Sequence, residues 1–98
     1  SMVVEWQTKA AVLNYPPAQV ILAKRYTSGS AVRRDYDKAM KLLMGAIDRN
    51  YPDAYFLVAE MYEKGRGTQK DKATALEFYR QAKLLGVQAA AAKIERLD

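Results

Sequence analysis

The side chains that most often carry chemistry in enzymes are missing from this sequence of 98 residues. It contains neither cysteine nor histidine, which excludes disulfides, zinc fingers, thiol nucleophiles, Ser-His-Asp triads and haem bound through histidine. A base would have to come from Asp, Glu, Lys or Tyr. Asp35, Asp37, Asp71 and Glu77 are the obvious carboxylates, but Asp35 and Asp71 stand where they would cap helices. We therefore predict no catalytic residues, no metal and no cofactor.

Two further motifs have both a functional and a structural interpretation. Glu60 and Glu63 lie three residues apart, so they share one face of a helix and could form a carboxylate pair for a metal or a proton. A solvated helical face is the interpretation we favour. The run Gly65-Arg66-Gly67 resembles a phosphate loop, but no apolar strand precedes it, and its glycines are typical of a turn.

The composition is that of one folded domain with an excess of positive charge. Half of the residues are hydrophobic and 28% are charged, and sixteen basic against eleven acidic residues leave a net charge of +5. No apolar stretch approaches the roughly 18 to 20 residues of a membrane span, and no secretory signal is visible. The sequence leaves the cellular compartment open.

An internal repeat of 36 residues organises the chain. The identical pairs are Ala18 and Ala54, Ala23 and Ala59, Tyr26 and Tyr62, Gly29 and Gly65, Asp35 and Asp71, Ala39 and Ala75, and Ala46 and Ala82. The register predicts a half unit at 3–14, whole units at 15–50 and 51–86, and a half unit at 87–98. Because the chain begins and ends within a unit, we expect it to be part of a larger protein.

Each unit has the pattern of a helical pair. Ala54, Val58 and Met61 recur at the spacing of one helical face, and Gly65 follows where a left-handed residue would end the helix. Alanines at matching positions would let paired helices approach closely. The predicted helices span 3–13, 17–28, 35–49, 53–64, 71–85 and 88–97. The predicted fold is all-α, a superhelix or α-solenoid of stacked antiparallel helix pairs with a concave side.

These residues resemble the Sel-one-like repeats, relatives of the tetratricopeptide repeats with about 36 to 38 residues per unit. The second unit carries the pattern as Ala54, Val58-Ala59, Tyr62, Gly65-Arg66-Gly67-Thr68, Asp71, Ala75, Phe78-Tyr79, Ala82 and Gly86. Ala23 and Ala59 replace the usual helix glycine, and Ala31 and Thr68 depart from Gly-x-Gly-Val. The resemblance implies a non-catalytic scaffold or adaptor that binds other proteins.

A groove on the concave side is the predicted place for a protein or peptide partner. By analogy with tetratricopeptide geometry, the first helices of successive pairs line it, with an apolar row Val20, Phe56 and Ala92 beside a charged row Lys24, Glu60 and Arg96. Tyr55 is predicted at its edge. The alternatives are that Val20 and Phe56 only pack between units, or that tyrosines and glutamates in the groove form a small-molecule or enzymatic site.

A basic edge is the second predicted surface. Its members flank the two internal loops and are Arg33, Arg34, Lys38, Lys64, Arg66, Lys70 and Lys72. It could bind an acidic protein, an anionic surface or nucleic acid. We find no aromatic residues suited to base stacking among these basic residues, which argues against binding of single-stranded nucleic acid. A solvated edge that favours solubility is the other interpretation. The Trp6 and Ile94 faces lack stacking neighbours in the half units, which predicts possible end-to-end self-association.

Overall fold

The computed structural model describes residues 4–5, 8–9 and 14–98, and the regular structure in these residues is entirely helical. Five helices have complete bounds, namely α1 Pro16–Ser28, α2 Tyr36–Ile47, α3 Pro52–Lys64, α4 Lys72–Leu84 and α5 Ala89–Leu97. All five were predicted, and their ends agree to within two residues. Residues 4–5 and 8–9 are also helical. Most of the predicted first helix at 3–13, including Trp6, lies outside the described residues.

The chain forms two compact units, Ser1–Tyr51 and Pro52–Asp98. Helices α1 and α2 pack together in the first unit, while α3, α4 and α5 pack in sequence in the second. The helix pairs meet through alanines, as the sequence predicts. Those at positions 23, 39, 46, 59, 75 and 82 are each no more than 1% exposed.

The loops inside the two helix pairs share one construction. Asp35 accepts a hydrogen bond at Oδ1 from the Lys38 backbone N–H, at 3.1 Å, and so caps α2. Asp71 caps α4 in the same way through the Thr74 N–H, also at 3.1 Å. Each aspartate also donates its own N–H to the carbonyl of a tyrosine one helix earlier, Tyr26 or Tyr62, at 2.9 Å. The predicted capping roles are confirmed, and they hold each loop at both ends.

Left-handed backbone conformations recur at intervals of 36 residues. Asn14, Asn50 and Gly86 have φ of 59°, 54° and 99°. Each lies in the short segment that precedes the first helix of a pair, two or three residues before that helix begins. The loops inside the pairs contain a second matched set, in which Ala31 has φ of 66° and Gly67 has φ of 72°. A non-glycine residue is strained in this region, so Ala31 adopts it because the surrounding loop requires it.

In the first unit a polar side chain is buried between the two helices. Gln19 of α1 is only 4% exposed; its Nε2 donates to Asn14 Oδ1 at 3.5 Å, and its Oε1 has no hydrogen-bond partner. A Cβ atom at Gly45 of α2 would lie 2.8 Å from Gln19 Nε2. Glycine therefore makes room for the glutamine.

The second unit has an aromatic core. Tyr79 is fully buried within a cluster otherwise made of alanines, and the partly buried Phe56, Ile94 and Leu97 pack against that cluster. Ile94, which the sequence predicts at an unstacked face, thus contributes to the core of its own unit. Through Ile94 and Leu97, α5 is attached to the α3–α4 pair by apolar contact.

Candidate partner-binding surface

Phe56 is held in place by the aromatic core beneath it. Its ring meets the Tyr79 ring edge-on, with centroids 5.3 Å apart and an interplanar angle of 68°, which is a favourable aromatic geometry. Phe56 itself is half-buried. One edge of the Phe56 environment is therefore fixed by the core, while the residue keeps part of its surface exposed.

The Tyr79 hydroxyl leads from this core to a pair of charged residues. It donates a hydrogen bond to Glu63 Oε1 at 2.6 Å, and the other oxygen of that carboxylate accepts from the Arg96 guanidinium of α5. Glu63 thus joins α3 to α4 through a tyrosine and to α5 through an arginine. Removing one partner would leave the others incompletely paired.

The electrostatics of this group favour a structural role. Burial alone raises the pKa of Glu63, but the Tyr79 hydroxyl and the Arg96 charge outweigh it, so the net pKa lies below its usual range. The pKa of Tyr79 is raised, first by burial and then by its hydrogen bond to Glu63. Both shifts move away from the near-neutral values that suit general acid–base catalysis. Glu63 remains an acceptor and Tyr79 remains a donor.

Glu60, one turn away on α3, is also engaged with α5. Its Oε2 lies 3.9 Å from Lys93 Nζ and 3.8 Å from Lys64 Nζ. The predicted pair of carboxylates, Glu60 and Glu63, is therefore shared among basic side chains. Within the described ranges, no group of three or more His, Cys, Asp or Glu side chains is arranged to hold a metal ion.

The surface formed by α3 and α5, which we call the α3–α5 surface, consists of Phe56, Glu60, Ala92, Lys93 and Arg96. Phe56 and Glu60 are four residues apart on α3, and Ala92 and Arg96 are four apart on α5, so each pair shares a helical face. Ala92 is exposed. The α3–α5 surface therefore includes a half-buried aromatic ring on α3, a small exposed alanine on α5 and ion pairs that link the two helices.

The other predicted groove residues occupy different environments. Tyr55 is half-buried on α3 and its ring lies 6.3 Å from that of Phe78 on α4. Phe78 in turn stacks on Tyr62 at 5.7 Å. In the first unit, Val20 is only 3% exposed and presents almost no surface, whereas Lys24 is exposed.

The predicted basic edge is divided between the two units. In the first, Arg34 lies over the Tyr36 ring, 5.9 Å from its centroid, and Lys38 lies over Tyr26 at 5.5 Å. Arg33 is exposed beside them. The members in the second unit are also exposed, and they are Lys64, Arg66, Lys70 and Lys72.

The family assignment follows from the sequence of each helix pair. The family model for the Sel1 repeat matches residues 16–50 and 52–87, which are the two units found from the 36-residue register to within a residue at each end. The chain belongs to the Sel1 repeat family. Sel1 repeats are modules of the protein-interaction type and are typically non-catalytic scaffolds. The resemblance predicted from the sequence is confirmed.

Solved structures of other Sel1 repeat proteins share the fold. A Sel1 repeat protein from Oxalobacter formigenes is 34% identical, with a TM-score of 0.86 over 93% of this chain and 37% of its own. The protective antigen c5321 of uropathogenic Escherichia coli, which displays an SLR fold, is 31% identical, with a TM-score of 0.83 over 88% of this chain and 18% of its own. The predicted all-α repeat fold is confirmed.

A third structure, cysteine-rich protein B of Helicobacter pylori, is 25% identical, with a TM-score of 0.82 over 91% of this chain and 67% of its own. The present chain contains no cysteine. It spans little more than a third of the Oxalobacter protein and less than a fifth of the E. coli antigen. No match is found among curated proteins. None of the helices in the described residues is long and apolar enough to cross a membrane.

Sequence reasoning missed several polar contacts of the Sel1 repeats. The repeat register puts Arg96 in one charged row with Glu60, whereas Arg96 binds Glu63, and the register gives no role to Lys93. Both contacts from α3 to α5 join residues 33 apart, Glu60 with Lys93 and Glu63 with Arg96. The available signal was this complementary charge at i and i+33, one helical turn short of the repeat length.

Proposed function

We propose that this chain is a non-catalytic interaction module that acts as an adaptor or scaffold and binds a protein or peptide segment on the α3–α5 surface. Membership of the Sel1 repeat family supports the general role. The observation that carries the specific proposal is Phe56, half-buried and supported edge-on by Tyr79. A rigid aromatic side chain of this kind is a typical anchor of binding energy in protein interfaces.

The charged residues around Phe56 give the surface a defined rim. Glu60 is shared between Lys93 and Lys64, and Glu63 is bound by Arg96. A partner that approaches Phe56 therefore meets charges that are already paired, and it need not leave an isolated charge buried. The partner we expect has an apolar side chain for Phe56, with polar groups on either side that fix its orientation.

The proposal can be tested with peptides selected from a displayed random library for binding to the whole chain. We expect Phe56→Ala and Ala92→Trp each to reduce the affinity of selected peptides by about tenfold or more, the first by removing the anchor and the second by blocking access to it. Fluorescence anisotropy of the labelled peptides measures the affinity. Ala92→Trp is the more informative variant because Ala92 is exposed and contributes little to the core.

Ala73→Trp supplies the matched control. Ala73 is an exposed alanine in the first turn of α4, away from the proposed surface, so the same change in size should leave the affinity within about twofold. Circular dichroism confirms that each variant is folded. If no peptide is enriched, or if the selected peptides bind all three variants equally well, peptide binding on the α3–α5 surface is refuted.

A further inference from the structure

The two Sel1 repeats carry different charge at equivalent positions around their internal loops. Residues 24–41 of the first repeat contain six basic and two acidic residues, a net charge of +4. The equivalent residues 60–77 of the second repeat contain four basic and four acidic residues, and their net charge is zero. The basic excess of the chain is therefore concentrated in the first repeat.

Ion pairing accentuates this difference. In the second unit, four ion pairs join described residues, and two of them involve Glu60. In the first unit, Lys24, Arg33 and Lys41 are exposed, and among the described residues none of these three has a carboxylate within 4.0 Å. Asp37 is the exposed acidic neighbour, while Asp35 uses Oδ1 to cap α2.

Two tyrosines set the positions of the central basic side chains. Arg34 lies 5.9 Å from the Tyr36 centroid and Lys38 lies 5.5 Å from that of Tyr26. Such contacts favour particular orientations of a cation while leaving its other side open to an anion. We call the set Arg33, Arg34 and Lys38, with Tyr26 and Tyr36, the basic loop of the first repeat.

We infer that the basic loop of the first repeat binds an acidic segment of a protein partner. This inference rests on the proposed function and adds a second contact surface with a stated partner chemistry. An arginine guanidinium can bind a carboxylate in a bidentate manner, and the neighbouring lysine adds attraction. Nucleic acid fits less well, because Tyr26 and Tyr36 are half-buried and covered by cations, whereas base stacking needs an open aromatic face.

The test uses the whole chain with a fluorescent glutamate-rich peptide as the probe. The main variant combines Arg33→Glu, Arg34→Glu and Lys38→Glu. The control combines Arg66→Glu, Lys70→Glu and Lys72→Glu, which changes the net charge by the same amount in the second repeat. A neutral variant that combines Arg33→Gln, Arg34→Gln and Lys38→Gln avoids new repulsion, and circular dichroism verifies that all three variants are folded.

We expect the main variant to lose about tenfold or more in affinity, because at least three favourable charge contacts are removed. The glutamine variant should lose less, and the control should stay within about threefold. Equal losses in the main variant and the control would overturn the inference, since only overall charge would then matter. So would the absence of binding by the unmodified chain at low salt.

An oligonucleotide of the same net charge as the peptide separates the two kinds of partner. Tighter binding of the oligonucleotide, lost in the main variant and falling steeply with salt, would overturn the assignment to an acidic protein segment. Weaker binding supports it. These results do not depend on Phe56 or Ala92, so this inference can fail while peptide binding on the α3–α5 surface stands.

Discussion

The two Sel1 repeats have the same backbone construction and different polar chemistry. Both cap their second helix with an aspartate, and both are followed by a linker that contains a left-handed residue, Asn50 or Gly86. Yet the core position occupied by Leu43 in the first repeat holds Tyr79 in the second, and Thr27 is replaced by Glu63. The comparison shows that the repeat constrains turns, caps and small core residues, while it leaves the polar positions free to specialise.

The largest expected difference between the repeats concerns Tyr79. Tyr79→Ala should lower the free energy of unfolding by about 3 to 5 kcal/mol, because it removes a fully buried ring and leaves a cavity. Urea denaturation followed by circular dichroism measures this change. Tyr15→Ala is the control, since Tyr15 is 50% exposed and should change stability by about 0.5 kcal/mol or less. A loss below about 1 kcal/mol in Tyr79→Ala would contradict the described core.

The second prediction uses pH to isolate Glu63. Because its pKa is lowered in the folded chain from an ordinary value of 4.5, the charged carboxylate stabilises the fold above about pH 4.5, and this contribution is lost as pH falls through the folded-state pKa. Glu63→Gln should lower the free energy of unfolding by about 1 to 2 kcal/mol at neutral pH. The difference from the unmodified chain should shrink on acidification below pH 4.5.

Glu95 provides the control for that titration. It is an exposed carboxylate on α5 with no cation within 4.0 Å among the described residues, so Glu95→Gln should have little effect at neutral pH. Stability curves measured by urea denaturation at several pH values distinguish the two variants. A pH-independent effect of Glu63→Gln would show that the carboxylate charge does not hold α5 to the helix pair.

The smallest expected effect tests the equivalence of the two loops. Ala31 and Gly67 occupy the same left-handed conformation, so Ala31→Gly should relieve strain and stabilise the fold by up to about 1 kcal/mol. Gly67→Ala should destabilise it by about the same amount. Thermal unfolding compares the two variants with the unmodified chain. Changes of the same sign in both would mean that the loops are not equivalent.

The sequence was sufficient to predict those features that the 36-residue register repeats. The alanine positions, the capping roles of Asp35 and Asp71, the left-handed Gly65 and the helix bounds all follow from local chemistry. These signals depend only on a residue and its neighbours along the chain. The same signal therefore occurs in both repeats, and its presence in one repeat supports its interpretation in the other.

Contacts between helices were harder to predict because the register identifies equivalent positions but not what each side chain faces. Arg96 aligns with Glu60 in the repeat, yet it binds Glu63, one helical turn further along α3. Val20 aligns with the half-buried Phe56, yet it is almost fully buried. The roles of the groove residues and the basic edge in binding stay predictions.

The left-handed residues at 14, 50 and 86 have a consequence for how such a protein can change in length. Each marks the same point in the backbone path, so removing or duplicating the 36 residues between two of them rejoins matching conformations. The protein could therefore gain or lose a whole 36-residue repeat without needing a different backbone conformation where the repeats join. An insertion or deletion of another size inside a helix would instead move its later residues out of register with the helix they pack against.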